Sequence, residues 1–312
     1  MRQVEVREWG SPAVLRVVEG AAVPEVYPGH LLIETTSIGL NPVDWKTRAG
    51  RGVAEQLPGG RPLVLGWDVA GTVVATGQDA TGFDVGDLVF GMAGFPGLGN
   101  AYAEFVAVRA TDVAHAPTDV DPAELAGTPM VALTAWQALF DVAKLSVGQR
   151  VLIHGGAGGV GHAAVQLAVN AAATVFSTAG PADQRFVAEL GAIPIDYTDG
   201  SFADQLDSVD LVLDTVGGEV FTRSLDIIAE GGRIVTTPDP SLLDLARGRG
   251  IVADWVFVHP DRGQLSEIAA LQSASKFRTH IDRRFVLDEI AAAHAYGESG
   301  HIRRGKLVVT PR

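Results

Sequence analysis

The 312-residue chain contains no cysteine. That absence removes disulfides, thiolate nucleophiles and any cysteine-ligated zinc site, structural or catalytic. Cationic side chains are also in short supply: 24 Lys and Arg stand against 37 Asp and Glu, a formal net charge of −13. The average surface field therefore repels polyphosphates, so nucleic acid is not the expected partner, although a local basic patch can still hold one phosphate group. No apolar run approaches the roughly 20 residues of a membrane-spanning helix. The first ten residues, MRQVEVREWG, carry charge throughout and lack the apolar centre of a signal peptide. A soluble, cytoplasmic protein with no membrane partner is the expectation. Hydrophobic residues make up 47% and charged residues 20%, which suits a globular chain with a sizeable core and, at this length, two domains.

What the chain does have is glycine, 37 residues of it, and one cluster is spaced for a purpose. The apolar run Val151-Leu152-Ile153 suits a buried strand, and Val160, Ala163, Ala164, Leu167 and Ala168 recur at helical spacing. Between them lies Gly156-x-Gly158-x-x-Gly161. A dinucleotide pyrophosphate needs that spacing: one glycine to turn, one to admit the backbone, one to seat the helix on the strand. The helix N-terminus adds unpaired N–H groups and the positive end of its dipole. Gly156, Ala157, Gly158, Gly159, Val160 and Gly161 are accordingly the expected pyrophosphate-binding turn.

Upstream, the pattern is β-rich with frequent turns: a hairpin over 2–18, a strand over 30–36, and further strands over 68–77, 84–91 and 102–108. Residues 41–46, NPVDWK, read as a loop after a strand, where sites are commonly carried. Residues 50–62 are rich in Gly and Pro and read as a surface loop. After residue 116 the period changes. Asp121-Pro122 starts a helix, residues 130–142 form another, and beyond Ala171 strands alternate with helices, including a helix over 201–206 and a last strand over 252–258. Such alternation calls for a doubly wound parallel sheet, whose ligands sit at the carboxyl ends of the strands. That rule points to Ser177, Thr178, Tyr197, Val216, Gly217 and Thr237. Residues 285–299 read as a helix and Gly305–Thr310 as a terminal strand.

The segments Asn41-Pro42-Val43-Asp44-Trp45-Lys46, Leu65-Gly66-Trp67-Asp68-Val69-Ala70-Gly71, His154 to Gly161, Asp214 to Gly218, and Ser299-Gly300-His301 with Gly305-Lys306-Leu307-Val308 resemble, in order, the medium-chain dehydrogenase/reductase superfamily. Within it the chain resembles the zinc-free NADPH:quinone oxidoreductase branch, related to zeta-crystallin and plant enone reductases. The resemblance implies an α/β fold: a GroES-like β-barrel domain, expected over 1–115 with 280–312, and a Rossmann domain over 116–279, with the active-site cleft at their junction. It further implies reduction of a small-molecule quinone or α,β-unsaturated ketone, and a homodimer. Zinc members place Gly-His-Glu about where this chain has Gly66-Trp67-Asp68. With Trp replacing His and no Cys, no ligand set for a catalytic zinc is expected.

NAD-preferring sites carry an acid at the end of the second strand. Here that position reads Phe176-Ser177-Thr178-Ala179-Gly180, so NADPH is the expected cofactor. Ser177 and Thr178 are candidates to hydrogen-bond its 2′-phosphate and Arg185 to supply the charge; Arg185 as a solvated helix residue and Ser177 as a turn former are the alternatives. Asp183 is the nearby acid that opposes this reading. By resemblance, Lys46 stands where enone reductases place a cation near the substrate oxygen, Asn41 and Thr134 lie near the nicotinamide, and Phe257 and Val258 approach the carboxamide. The structural alternatives are a surface lysine, a turn residue before Pro42, a helix-packing threonine, and strand core or dimer contact. Two other functions stay open: an enoyl-thioester reductase, for which Arg48, Arg51 and Arg61 offer a basic rim, and a non-catalytic NADPH-binding protein.

Overall fold

The expected N-terminal hairpin forms from β1 (Gln3–Val6) and β2 (Leu15–Val18), which pair antiparallel. In the computed structural model, which describes residues 1–311, β3 (His30–Leu40) follows as the longest strand. The stretch after it is not a loop: Pro42–Arg48 forms α1. The physical reason is legible in Asn41-Pro42-Val43-Asp44. Proline at the first helical position has no N–H to leave unpaired, and the Asp44 carboxylate reaches back to the Asn41 N–H at 2.6 Å. Then come β4 (Asp68–Thr76), β5 (Leu88–Met92), β6 (Phe105–Arg109), β7 (Val113–His115) and α2 (Pro122–Gly127), whose first turn is capped by Asp121. Helix α3 (Pro129–Trp136) does not run on to residue 142 as an α-helix, because Gln137–Val142 widens into a π-helical segment.

The alternating region holds β8 (Arg150–Ile153), α4 (Gly159–Asn170), β9 (Thr174–Ala179), α5 (Gln184–Glu189), β10 (Ile193–Asp196), β11 (Val209–Asp214), α6 (Glu219–Ser224), β12 (Ile228–Thr236), α7 (Leu243–Gly248) and β13 (Val252–Trp255). All six strands are parallel, in the order β10-β9-β8-β11-β12-β13. This is the doubly wound dinucleotide-binding order, with its switch point between β8 and β11. The helix expected over 201–206 is only a 3₁₀ turn, Phe202–Asp204. The strand expected over 252–258 stops at Trp255, leaving Phe257 and Val258 beyond its end.

The chain closes with α8 (Arg262–Ser273), β14 (Ile281–Val286), α9 (Ile290–Glu298) and β15 (Lys306–Thr310). Strand β3 is the organising member of the second large sheet, pairing with β4, β6 and β15. Close approach of β4 to β3 requires glycine: a Cβ on Gly71 would stand 2.1 Å from the Glu34 carbonyl oxygen. Two compact units result. One comprises Met1–Leu133, His259–Ile302 and the chain from Lys306, and is the GroES-like unit; the other, Thr134–Val258 with Arg303–Gly305, is the Rossmann unit. The change of periodicity at residue 116 thus precedes the seam, since α2 packs on β3 and β4, and α8 on β7. The first unit's core gathers Val4, Ile33, Ile38, Leu65, Val73, Val106 and Leu307, and the second holds Leu152, Val212, Phe221 and Ile234. Among the described residues no helix is long and apolar enough to cross a membrane.

Candidate functional site

In the Rossmann unit the three glycines do different work. A Cβ on Gly156 would fall 2.1 Å from the Ser177 hydroxyl oxygen, and one on Gly161 would fall 2.0 Å from the Gly155 carbonyl oxygen. Those two let helix and strand pack. Gly158 is exposed, and its nearest obstruction would be 3.3 Å away. It is the position that keeps the approach open. Gly158 caps α4 without a side chain, so the first-turn N–H groups of Gly159, Val160 and Gly161 keep no helical acceptor. This cradle fits a pyrophosphate.

Buried His154 shapes the cradle from beneath. The Ser224 hydroxyl donates to Val220 O at 2.7 Å and so accepts from His154 Nε2–H at 2.8 Å. Nδ1 is then free to accept from Thr178 Oγ1 at 3.1 Å, and that oxygen accepts the Gly155 N–H at 3.1 Å. Burial pushes the His154 pKa down to about 3, which keeps the imidazole neutral. Thr178 therefore serves the turn rather than a phosphate. Ser177 does not face a phosphate either: it is fully buried and its hydroxyl donates to Ile153 O at 2.8 Å, inside the sheet.

Arg185 lies on the exposed face of α5, paired with Glu189 at 2.8 Å and 90% exposed. The guanidinium beside the end of β9 belongs instead to Arg304, which holds Asp183 at 2.7 Å and donates to Ala182 O. Arg304 thereby neutralises Asp183, the acid expected to oppose a 2′-phosphate. Its neighbour Gly305 donates its N–H to Ala157 O at 2.8 Å, tying this short segment to the glycine turn. Composition gave no hint of it, because residues 303–305 are distant in sequence. Tyr197 is 57% exposed, and its hydroxyl lies 3.3 Å from where Gly180 would carry a Cβ.

After β11, buried Asp214 accepts the N–H groups of Val216 and Gly217 at 2.9 and 2.8 Å and the Thr236 hydroxyl at 2.9 Å. That wraps a turn with Gly217 and Gly218 at positive φ and leaves Val216 exposed. Thr237 follows β12 at the same sheet end, with its N–H donated to Asp214 O. Phe257 is exposed and tilts against Trp255 at 5.3 Å, and Val258 and, on α3, Thr134 are buried.

In the GroES-like unit, Asn41 joins a buried anion to a buried cation. Its Nδ2 donates to Asp68 Oδ2 at 2.8 Å, and its Oδ1 accepts from Lys306 Nζ. Asp68 also accepts the Met130 N–H at 3.0 Å, and Lys306 donates to Leu40 O at 2.5 Å. All of these side chains are buried. Burial raises the Asp68 pKa to about 6 against the pull of Lys306 and Asn41. Asp44 rises to about 7, chiefly by burial and despite hydrogen bonds from Tyr102 and the Asn41 N–H. Tyr102 further meets His294 Nε2 at 2.9 Å. Lys46, on α1, is exposed. Of the proposed basic rim, Arg48 is buried and paired with Glu298, and Arg61 stacks 3.4 Å over Trp9. Only Arg51 stays as an exposed cation of that set without such a role. Trp67 is fully buried, its indole N–H donated to Gly97 O at 2.7 Å. Among the described residues no group of three or more His, Cys, Asp or Glu is placed to hold a metal ion.

Comparison with known proteins agrees with this architecture. Residues 27–118 match the family described as alcohol dehydrogenase GroES-like domain, and residues 190–309 the family described as zinc-binding dehydrogenase. Among relatives, a zebrafish (Danio rerio) protein named NAD(P)H oxidoreductase RTN4IP1, mitochondrial, is 33% identical across 98% of this chain and 90% of its own. The 2-methylene-furan-3-one reductase of Solanum lycopersicum is 33% identical across 100% of this chain and 79% of its own. Among solved structures, the quinone oxidoreductase from Coxiella burnetii superposes with a TM-score of 0.94 at 36% identity, covering 100% of this chain and 99% of that one.

Proposed function

Since the chain belongs to the medium-chain dehydrogenase/reductase superfamily, in its zinc-free quinone oxidoreductase branch, we propose that it reduces a quinone or an α,β-unsaturated ketone with NADPH and without zinc. An NAD(P)H-dependent oxidoreductase of quinone or alkenal reductase type is the established part; the acceptor class and the preference for NADPH are the proposal. One observation carries it: the uncapped glycine turn of α4 stands with Arg304, which silences Asp183 near the end of β9. A dinucleotide with an extra phosphate meets a cation there and no unpaired carboxylate.

When bound, NADPH supplies the hydride. The protein's task is to hold the dinucleotide, orient the acceptor and stabilise the negative charge that develops on the acceptor oxygen. First-turn amides of α4 would hold the pyrophosphate, and Val216, Gly217, Thr237, Phe257 and Val258 are the residues that would hold the nicotinamide half. Thr134 and Asn41 would orient the bound ring, and Lys46, which is exposed, would stabilise the forming oxyanion. A homodimer belongs to the proposal, because β13 is an edge strand carrying exposed Val252 and Trp255, with Phe257 beyond it.

The test pairs calorimetric titration of NADPH and NADH with NADPH-oxidation assays on simple quinones and a medium-chain enone. Tighter binding of NADPH by roughly tenfold or more, with turnover on at least one acceptor class, is expected. Tighter binding of NADH would overturn the phosphate assignment, and NADPH binding without turnover on any acceptor would leave a binding protein.

A further inference from the structure

Lys306 opens β15 with its ammonium removed from solvent, since the side chain is 3% exposed. A lysine is seldom buried without a defined task, because ion desolvation is costly and must be offset by fixed partners. Its partners are specific: the Leu40 carbonyl at 2.5 Å, the Asn41 side-chain oxygen, and Asp68 Oδ2 at 3.9 Å. On the other side of the Asn41 amide stands the same Asp68 carboxylate, accepting from Nδ2 at 2.8 Å and itself held by the Met130 N–H. A neutral amide thus lies between a buried cation and a buried anion.

We propose that Lys306 is a positioning residue: its grip on the Asn41 side-chain oxygen fixes the direction of the Asn41 amide and so the one amide proton left to meet nicotinamide or acceptor. Turning the amide over would set NH₂ against the ammonium and C=O against the carboxylate, so one orientation is selected by charge. The cation also draws electron density from the amide oxygen, which strengthens the remaining N–H as a donor. Backbone anchors complete the hold. The Asn41 N–H is taken by Asp44, and Leu40 is bound directly by Lys306. This inference rests on the reading above that Asn41 serves hydride transfer.

The test uses Lys306→Met, which keeps length and loses charge. In parallel, Lys306→Met with Asp68→Asn, read against Asp68→Asn alone, leaves no uncompensated buried ion if the single variant fails to fold. The chain has three asparagines, Asn41, Asn100 and Asn170, so protein labelled with ¹⁵N-asparagine shows their side-chain amides alone, and Asn41→Ala identifies the Asn41 pair by its loss. Removing Lys306 is expected to shift the Asn41 pair and leave the other two in place. With a quinone, kcat falls by roughly 100-fold, and the NADPH Kd stays within about threefold. In an Asn41→Ala background the same substitution adds no further loss, since a residue acting through Asn41 has nothing left to position. An Asn41 resonance that ignores Lys306, or an equal fold-loss with and without Asn41, overturns the proposal. Wild-type protein that turns over no acceptor would remove the assigned function, while the resonance still decides whether Lys306 orients Asn41.

Discussion

At the scale of single residues, the buried titratable groups divide by sign. His154 and His294 are held neutral, each pushed down to about 3 by burial, with Arg48 adding to the effect at His294. A histidine whose folded pKa lies below its unfolded value of about 6.5 stabilises above 6.5 and loses that contribution as pH falls toward 3. Between pH 7 and pH 5 each costs about 2 kcal/mol of stability. His294→Phe should therefore flatten the slope of denaturation midpoints over that range; an unchanged slope contradicts the assignment. Asp44 has the opposite sense. Its folded pKa, raised to about 7, gives a contribution fully present below its unfolded value near 3.9 and lost as pH rises through 7. Asp44→Asn should gain stability relative to wild type as pH is raised from 4 to 8, checked by the same denaturation series. The proposed preference for NADPH turns on Arg304, whose pairing with Asp183 is partly shielded from solvent. Arg304→Gln is expected to weaken NADPH by about tenfold while sparing NADH, and Arg185→Gln to change neither by more than about twofold. Calorimetry on both cofactors checks the pair, and reversed sensitivities would restore Arg185. Residue identity made Ser177 and Arg185 reasonable choices, but side-chain direction decided against both. Ser177 turns into the sheet and Arg185 toward Glu189, and neither direction follows from spacing alone.

At the scale of elements, the turn between β8 and α4 is where sequence and structure agree most closely, because glycine spacing reports backbone approach directly. Gly161→Ala would put a methyl 2.0 Å from a carbonyl oxygen, and backbone cannot yield as a flexible side chain does. It should abolish measurable NADPH binding and lower the denaturation midpoint, whereas Gly59→Ala, with open space around it, should do neither. Unimpaired binding in Gly161→Ala would show that the turn is not the pyrophosphate cradle. Helix α1 was harder to read because seven residues give too little periodicity, although its capping residues were in plain sight. The termini of α3 and β13 were misplaced for a related reason: a π-helical segment and a strand ending at Trp255 depend on neighbours that local propensity does not encode. Lys306 was legible as a residue within a terminal strand, but not as a buried cation. Lysines are mostly exposed, and its partners at 40, 41 and 68 lie far away in sequence.

At the scale of the molecule, one chain builds a GroES-like unit from both its ends and a Rossmann unit from its middle, with residues 303–305 returning to the glycine turn. Against a net charge of −13, Arg304, Arg48 and Lys306 are cations with defined acidic partners, Asp183, Glu298 and Asp68. Family and fold were readable from five motifs in order, since each marks a backbone requirement or a strand end. The acceptor was not, because pocket shape depends on residues that carry no motif. The central claim is zinc-independent hydride transfer from NADPH to a quinone or enone. Single-turnover kinetics on chelator-treated protein, comparing NADPH with its C4-deuterated form, tests it most directly. The prediction is stoichiometric NADPH consumption with reduced acceptor formed, slowed by deuterium and indifferent to the chelator. NADPH that binds but is not consumed by any acceptor, or activity lost on chelation and restored by zinc, would contradict it.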